Sequence, residues 1–364
     1  MDCYQPLLGQ IEVYLREFVA PQAEVIDRHP EALYSALKGL GEQGHLALRV
    51  PQIWGGAGMS DITYRCFQEL VARYSGALAF LQTQHQSAGS MLAQSANAAL
   101  KQAYLPRMGR GEALVGIGFS QLRRQPPPVK AIAVAGGYQL DGAVPWVTGF
   151  EFFQAFVVAG VLPDGQAVFG LVPFVDTQQD AGAIAFSQPL QLAAMASTNT
   201  VTASLTQWFL SHSQVVDIKP AGWIQANDRK NVLHHGFFAL GCARAGLDIL
   251  ERTSQTKPLP CLTTAFSSLN QELIDCQTAI AQVQQQPIDS AAANNHCLQL
   301  RAWTIDLAVR CAHAAVAVSR GAANYNTHAA QRVYREALAF TVFGQTTAVM
   351  EATLSRLTRT ESAF

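Results

Sequence analysis

The spacing of apolar residues changes twice along this chain, and that double change restricts it to folds in which helices flank a block of strands. Near the start, Leu7, Leu8, Ile11, Leu15, Phe18 and Val19 recur at helical intervals. Segments around 61–75, 77–93 and 96–108 continue the pattern. Gly55-Gly56-Ala57-Gly58 interrupts it as a turn, and Ser60-Asp61 offers a helix N-cap. From about residue 114 the period shortens. Ala131–Val134, Gly136-Gly137 and Tyr138–Leu140 read as one hairpin, and Phe156–Val161, Pro163-Asp164-Gly165 and Val168–Val172 as another. From about 220 helical spacing returns. Leu300, Trp303, Leu307, Cys311, Ala314 and Val318 mark one side of a long helix, with a loop or helix start over Pro287–Asn295 before it. The reading is an α+β chain, mainly α: a helical domain over 1–113, a β-domain over 114–216 and a helical bundle over 217–364.

Bulk composition bounds the function. At 364 residues and 49% hydrophobic content the chain can build a large core. Charged residues are 14%, against about 25% in an average soluble protein. Neighbouring subunits covering part of the surface would account for that. A net charge of -1 gives no reason to expect a nucleic-acid partner. No stretch approaches the roughly 20 apolar residues of a membrane span, and Met1–Gln5 lacks the basic start of a signal peptide. Seven scattered cysteines without C-x-x-C fit reduced thiols in the cytoplasm better than disulfides or a metal site.

Several segments, in order, resemble the acyl-CoA dehydrogenase superfamily. Leu48–Ser60 is similar to its L-x-V-P-E-x-Y-G-G-x-G-x-S turn, Tyr104–Glu112 to Y-L-P-x-L-x-x-G-E, and Tyr138–Gly142 with Trp146-Val147-Thr148 to Y-x-L-N-G-x-K-x-W-I-T. Glu251-Arg252 with Lys257-Pro258-Leu259 resembles E-R-x-x-F-G-K-P-L. Arg332-Val333-Tyr334-Arg335-Glu336-Ala337 followed by Thr341–Thr346 resembles R-x-x-R-D-A-x-x-x-x-I-Y-E-G-T. The resemblance implies an N-terminal helical domain, a central β-barrel-like domain and a C-terminal four-helix bundle. It also implies FAD held between the subunits of a homodimer or homotetramer, and a small-molecule, acyl-carrier or CoA-linked substrate.

It implies roles for particular residues as well. Trp146, Val147 and Thr148 would lie beside the flavin ring, and Ser120 stands where a family hydroxyl touches it. Arg252 matches an arginine that reaches the FAD pyrophosphate, and Ala317, Arg320 and Gly321 are what remains of the adenine-side Q-x-x-G-G. The Gly-rich β-domain loop is replaced by Leu122-Arg123-Arg124-Gln125-Pro126-Pro127-Pro128. Its two arginines could grip a carboxylate or phosphate in the substrate pocket, or form a solvated loop.

The base is the main departure. Dehydrogenation of a thioester needs a carboxylate over the α-carbon. Gly344 stands where the family places its glutamate, and Asn231 stands at the alternative site that one branch uses on an earlier helix. Gly344 would then leave room over the flavin, as a vacated catalytic position or a reshaped substrate pocket. Asp228, one turn before Asn231, is a substitute carboxylate or a helix N-cap. His85, His234 and His235 are acid–base candidates by residue type, and packed or exposed histidines otherwise. His234 and His235, about 100° apart on a helix, could not chelate one metal together.

Three readings follow. One is an FAD-dependent oxidoreductase, monooxygenase-like or otherwise diverged, acting without the usual base. Another is an acyl-CoA dehydrogenase with its base moved to Asp228. The third is a non-catalytic binding or assembly protein that has lost its flavin.

Overall fold

The computed structural model describes residues 5–284 and 290–358. Helices α1 (Gln5–Tyr14), α2 (Ala23–Ile26), α3 (Pro30–Glu42), α4 (Asp61–Tyr74), α5 (Gly76–Gln94) and α6 (Ala98–Met108) form the first layer. The expected cap on α4 is in place, since Ser60 Oγ accepts from the Thr63 N–H at 3.2 Å.

Strands follow: β1 (Val115–Gly118), β2 (Val129–Val134), β3 (Gly137–Val147), β4 (Ala155–Val161), β5 (Ala167–Pro173), β6 (Thr177–Gln178), β7 (Ala183–Phe186), β8 (Val201–Ser211) and β9 (Val215–Lys219). They form one sheet in the order β6-β7-β8-β3-β2-β4-β5-β9, with β1 added parallel to β4. Both hairpins read from the sequence are present as β2–β3 and β4–β5. Strand β9 runs past the expected limit at 216, because Ile218 and Lys219 still pair with Val168 and Ala167.

The last third holds α7 (Trp223–Lys230), α8 (Gly236–Thr256), α9 (Pro260–Gln284), α10 (Ala291–Ser319), α11 (Ala329–Val342) and α12 (Thr347–Leu357). Helices α8–α11 make the C-terminal bundle, with α12 against α10. Of the loop expected over Pro287–Asn295, positions 287–289 lie outside the described residues. Ser290 caps α10 by accepting from Ala293 N–H at 3.1 Å. Gly241 lets α8 press on α4, since a Cβ there would stand 2.2 Å from the Glu69 carbonyl. No disulfide joins the described cysteines.

The Arg332–Ala337 motif joins all three layers. Arg332 Nη1 meets Glu336 at 2.8 Å, and Glu336 accepts the Gly76 N–H at 3.0 Å. Arg335 Nη2 meets Asp27 at 2.5 Å while its Nη1 donates to the Ala193 carbonyl. Asp27 in turn accepts the Met195 N–H at 2.9 Å. Helix α11 is thereby tied to the N-terminal helices and to the segment before β8.

Candidate functional site

The site is assembled where the end of β1, the end of β3, the α7–α8 turn and the α11–α12 turn converge. Strand β1 leads into a short turn over Ser120–Arg123, and Gly118 presses on Val147: a Cβ on Gly118 would lie 3.0 Å from its side chain. Ser120 is thus brought beside the Trp146-Val147-Thr148 segment. Trp146 is 47% exposed and Val147 is buried. Ser120 Oγ is buried and has no hydrogen-bond partner among the described residues.

Thr148 is buried, and its hydroxyl opens a chain whose direction can be worked out. Thr198 Oγ1 donates to the Met195 carbonyl at 2.8 Å, so Thr198 can only accept from Thr200, at 3.1 Å. Thr200 must then accept from Thr148 at 2.9 Å. Thr148 has given its proton away and keeps only acceptor capacity.

Gly344 does not open space. Its φ is +60°, and a Cβ there would stand 2.4 Å from His235 Nδ1. The His235 imidazole fills the volume that a side chain at 344 would need, which corrects the expectation of a vacated position. Burial, then the guanidiniums of Arg301 and Arg123, hold His235 well below the ordinary histidine range, so its ring is neutral. The turn is further fixed by Phe343 against Phe80, with ring centroids 4.4 Å apart, and by Arg301, which donates to the Phe343 carbonyl at 3.0 Å. Gln345 Oε1 is buried without a partner among the described residues.

The alternative base position at Asn231 and the substitute carboxylate Asp228 both differ from expectation. Asn231 is not on a helix continuous with α8. It caps the C-terminus of α7, and the chain turns through 231–235 before α8 begins. Register counted back from Leu240-Gly241 therefore does not carry over the break. Asp228 lies inside α7 and is not an N-cap. Arg123 grips it in bidentate fashion, both contacts at 2.7 Å. That pairing removes Asp228 as a free base and Arg123 as a free substrate grip, while Arg124 is exposed.

His85 is a core residue, fully buried, not an acid–base group. Its Nδ1 accepts the Val115 N–H at 3.0 Å, and Nε2–H donates to the Met108 carbonyl at 3.1 Å. Burial lowers its pKa to about 4, so it ties α5 to β1 as a neutral ring. His234 points away from His235. Arg65 donates to its Nδ1 at 2.6 Å, so Nε2–H faces Asp61 at 3.2 Å. His234 and Asn231 line a cleft of about 890 Å³ with Asp61, Arg229 and Lys230. None of Ser120, Trp146, Thr148, His235 or Gly344 is on its wall. Sequence reading missed this Asp61–Arg65–His234 group and also Arg301. The only signal for Arg301 was an arginine beside the apolar stripe of α10.

The residues expected at the far end of a flavin nucleotide are spread over exposed helix ends. Arg252 is exposed near the end of α8, and Arg320 and Gly321 are exposed just beyond α10. Arg320 has φ +54° and ψ -141°, a conformation that glycine adopts freely and arginine rarely. The backbone thus keeps a glycine-like shape although the glycine is gone. For FAD, the ring side fits: an unpartnered buried hydroxyl at Ser120 lies beside a half-exposed tryptophan. The phosphate side has no free cradle at 122–128, where Arg123 is spent on Asp228.

The architecture is a sheet between a helical layer and a helical bundle. The family model described as "Acyl-CoA dehydrogenase, N-terminal domain" matches residues 5–112. A probable acyl-CoA dehydrogenase of Bacillus subtilis (strain 168) is 20% identical over 97% of both chains. A 3-(aryl)acrylate reductase of Clostridium sporogenes (strain ATCC 15579) is 20% identical over 94% of both. The solved butyryl-CoA dehydrogenase of Megasphaera elsdenii superposes with a TM-score of 0.80 at 13% identity, covering 99% of each chain. The chain is thus similar to acyl-CoA dehydrogenases along nearly its whole length, and the superposition shows the shared fold. No helix among the described residues is long and apolar enough to cross a membrane.

Proposed function

We propose that this chain is an FAD-dependent oxidoreductase that does not perform ordinary acyl-CoA dehydrogenation. The observation that carries the reading is the contact at Gly344. The position that the sequence resemblance assigns to the family's carboxylate is a glycine, and His235 closes it to a side chain. Bound flavin would supply the acceptor of a hydride or electron pair. Ser120 would offer it a hydroxyl proton, Thr148 an acceptor and Trp146 an aromatic wall. Arg252 and Arg320, both exposed, would serve the pyrophosphate and adenine of a flavin shared with a second subunit.

The group nearest the position assigned to that carboxylate is the neutral His235, which burial and the guanidiniums of Arg301 and Arg123 make a poor proton acceptor, so the site is not built to take an α-proton from a small organic or carrier-bound substrate. The relocated-base reading loses support, because the Asp228 carboxylate is held by Arg123. A full-length relative carries the name of a reductase acting on an acrylate, so activities named within this range of similarity are not confined to acyl-CoA dehydrogenation. A second reading, a binding or assembly protein without flavin, draws on the protein-committed Thr148 proton and the absent phosphate cradle.

The absorbance spectrum of the purified chain, followed by titration with FAD, separates the two. Our reading expects an oxidised flavin band or saturable FAD binding near one per chain. A colourless protein that binds no FAD would sink it. Ser120→Ala is expected to weaken FAD binding several-fold, by removing one hydrogen bond worth about 1 kcal/mol.

A further inference from the structure

The cleft beside His234 carries charge and apolar surface that the flavin reading does not use. It opens where four helices begin or end: the start of α4, the end of α7, the end of α9 and the start of α10. At about 890 Å³ it has the size of a small-ligand site, which runs from roughly 300 to 1,000 Å³. There is room for an organic molecule and not only for water.

Two kinds of surface face into it. One is aliphatic: Ile62 on the first turn of α4, Leu233 in the α7–α8 turn and Val283 near the end of α9, with the small Ala226 and Ala291. Ile62 is 49% exposed, so apolar surface is left for a ligand to cover. No aromatic side chain is among the described residues of the wall, so it offers no stacking platform for a nucleobase or an aryl ring.

The other surface is cationic. Arg229 and Lys230 close α7 side by side, both exposed, and neither side chain meets an acid among the described residues. Asp228, the only acid of α7, is turned to Arg123. Asp61 also lines the cleft, but its charge is already committed. Arg49 and Arg65 both meet its Oδ1 at 3.2 Å, and His234 Nε2 meets Oδ2 at 3.2 Å. His234 gives its other nitrogen to Arg65 at 2.6 Å. One carboxylate thus answers two guanidiniums, and the charges of Arg229 and Lys230 stand unanswered.

We propose that this cleft binds an aliphatic carboxylate, its chain along Ile62, Leu233 and Val283 and its head at Arg229 and Lys230. The planar head fits the guanidinium fork. An exposed ion pair alone binds little, so most of the affinity comes from the chain and grows with its length. The site is separate from the Gly344 region, because its wall includes His234 but none of Ser120, Trp146, Thr148, His235 or Gly344. Binding needs no flavin and does not rest on the flavin reading.

Calorimetric titration of the full-length protein with butyrate, hexanoate and octanoate at matched ionic strength tests this. Affinity is expected to rise along the series, by about threefold or more per two carbons. Octanamide is expected to bind several-fold more weakly than octanoate. Arg229→Gln with Lys230→Gln, both at the surface, should bring octanoate down to the level of octanamide, and Ile62→Gln should flatten the series. Samples with and without flavin, told apart by absorbance, should bind octanoate alike. The proposal would be overturned by no saturable binding of octanoate, by equal binding of acid and amide, or by undiminished affinity in the folded double variant. A response to inorganic phosphate equal to that of octanoate would overturn it too, as would binding seen only with flavin present. Octanoate binding by a protein that takes up no FAD would sink the flavin reading and leave this one standing.

Discussion

Gly344 and His235 form one packing unit. A methyl at 344 would meet the imidazole at 2.4 Å and sit on a backbone of φ +60°. Gly344→Ala should therefore lose about 2–4 kcal/mol, part steric and part backbone strain. Adding His235→Ala should recover the steric part and leave about 1 kcal/mol of backbone cost, a coupling that urea unfolding of the three variants would measure. Additive losses would mean that the two residues do not touch. The glycine at 344 was legible in the sequence. The imidazole packed on it was not, because it comes from a residue more than a hundred positions away.

Two other groups, the buried His85 and the half-buried Glu69, oppose each other in acid. His85 falls to about 4, so the unfolded chain binds its proton first, and stability is lost as pH drops from about 6.5 to 4. Burial raises Glu69 to about 7, so the folded chain binds that proton first, and stability is gained as pH drops from about 7 to 4.5. Each amounts to about 3 kcal/mol at most, and they largely cancel. Glu69→Gln should therefore expose the histidine limb: urea midpoints that fall between pH 6.5 and 4 more steeply than in the parent. Unchanged pH dependence would contradict the assignment.

Among the elements, α11 carries the best-read motif, and the structure explains its pattern. Arg332 and Arg335 reach α2 and its end, at Glu24 and Asp27, and Glu336 reaches the start of α5 at Gly76. Asp27 is 1% exposed and joins Arg335 to the Met195 amide. Asp27→Asn leaves a guanidinium short of its partner and should cost about 3 kcal/mol or more in chemical unfolding. A loss below about 1 kcal/mol would show that α11 is held by its apolar face alone. Helix and strand periods made most elements legible, because apolar spacing follows secondary structure directly. The break at 231–235 escaped, since no proline or glycine lies within it. That break upset the placement of Asn231 and Asp228.

For the whole molecule, the low charge content has a visible counterpart. Tyr334, Leu338 and Val342 on α11 and Met350, Leu354 and Leu357 on α12 are exposed at helical spacing, opposite the buried faces. We expect a second copy to cover them. Light scattering after gel filtration should give a dimer or tetramer, and Leu338→Asp with Leu354→Asp should shift it to a smaller species. A monomeric parent protein would refute this. The three-part order was legible from the spacing of apolar residues. The closing of the carboxylate position and the cation-lined cleft were not, because both depend on contacts between distant segments.

The central claim is that the site around Gly344 does not remove an α-proton from an acyl-CoA thioester. Anaerobic addition of butyryl-CoA to the FAD-loaded protein, followed by absorbance, tests it most directly. The account predicts that the oxidised flavin band persists. Stoichiometric bleaching at a rate typical of enzyme turnover, on the order of 1 per second or faster, would contradict it.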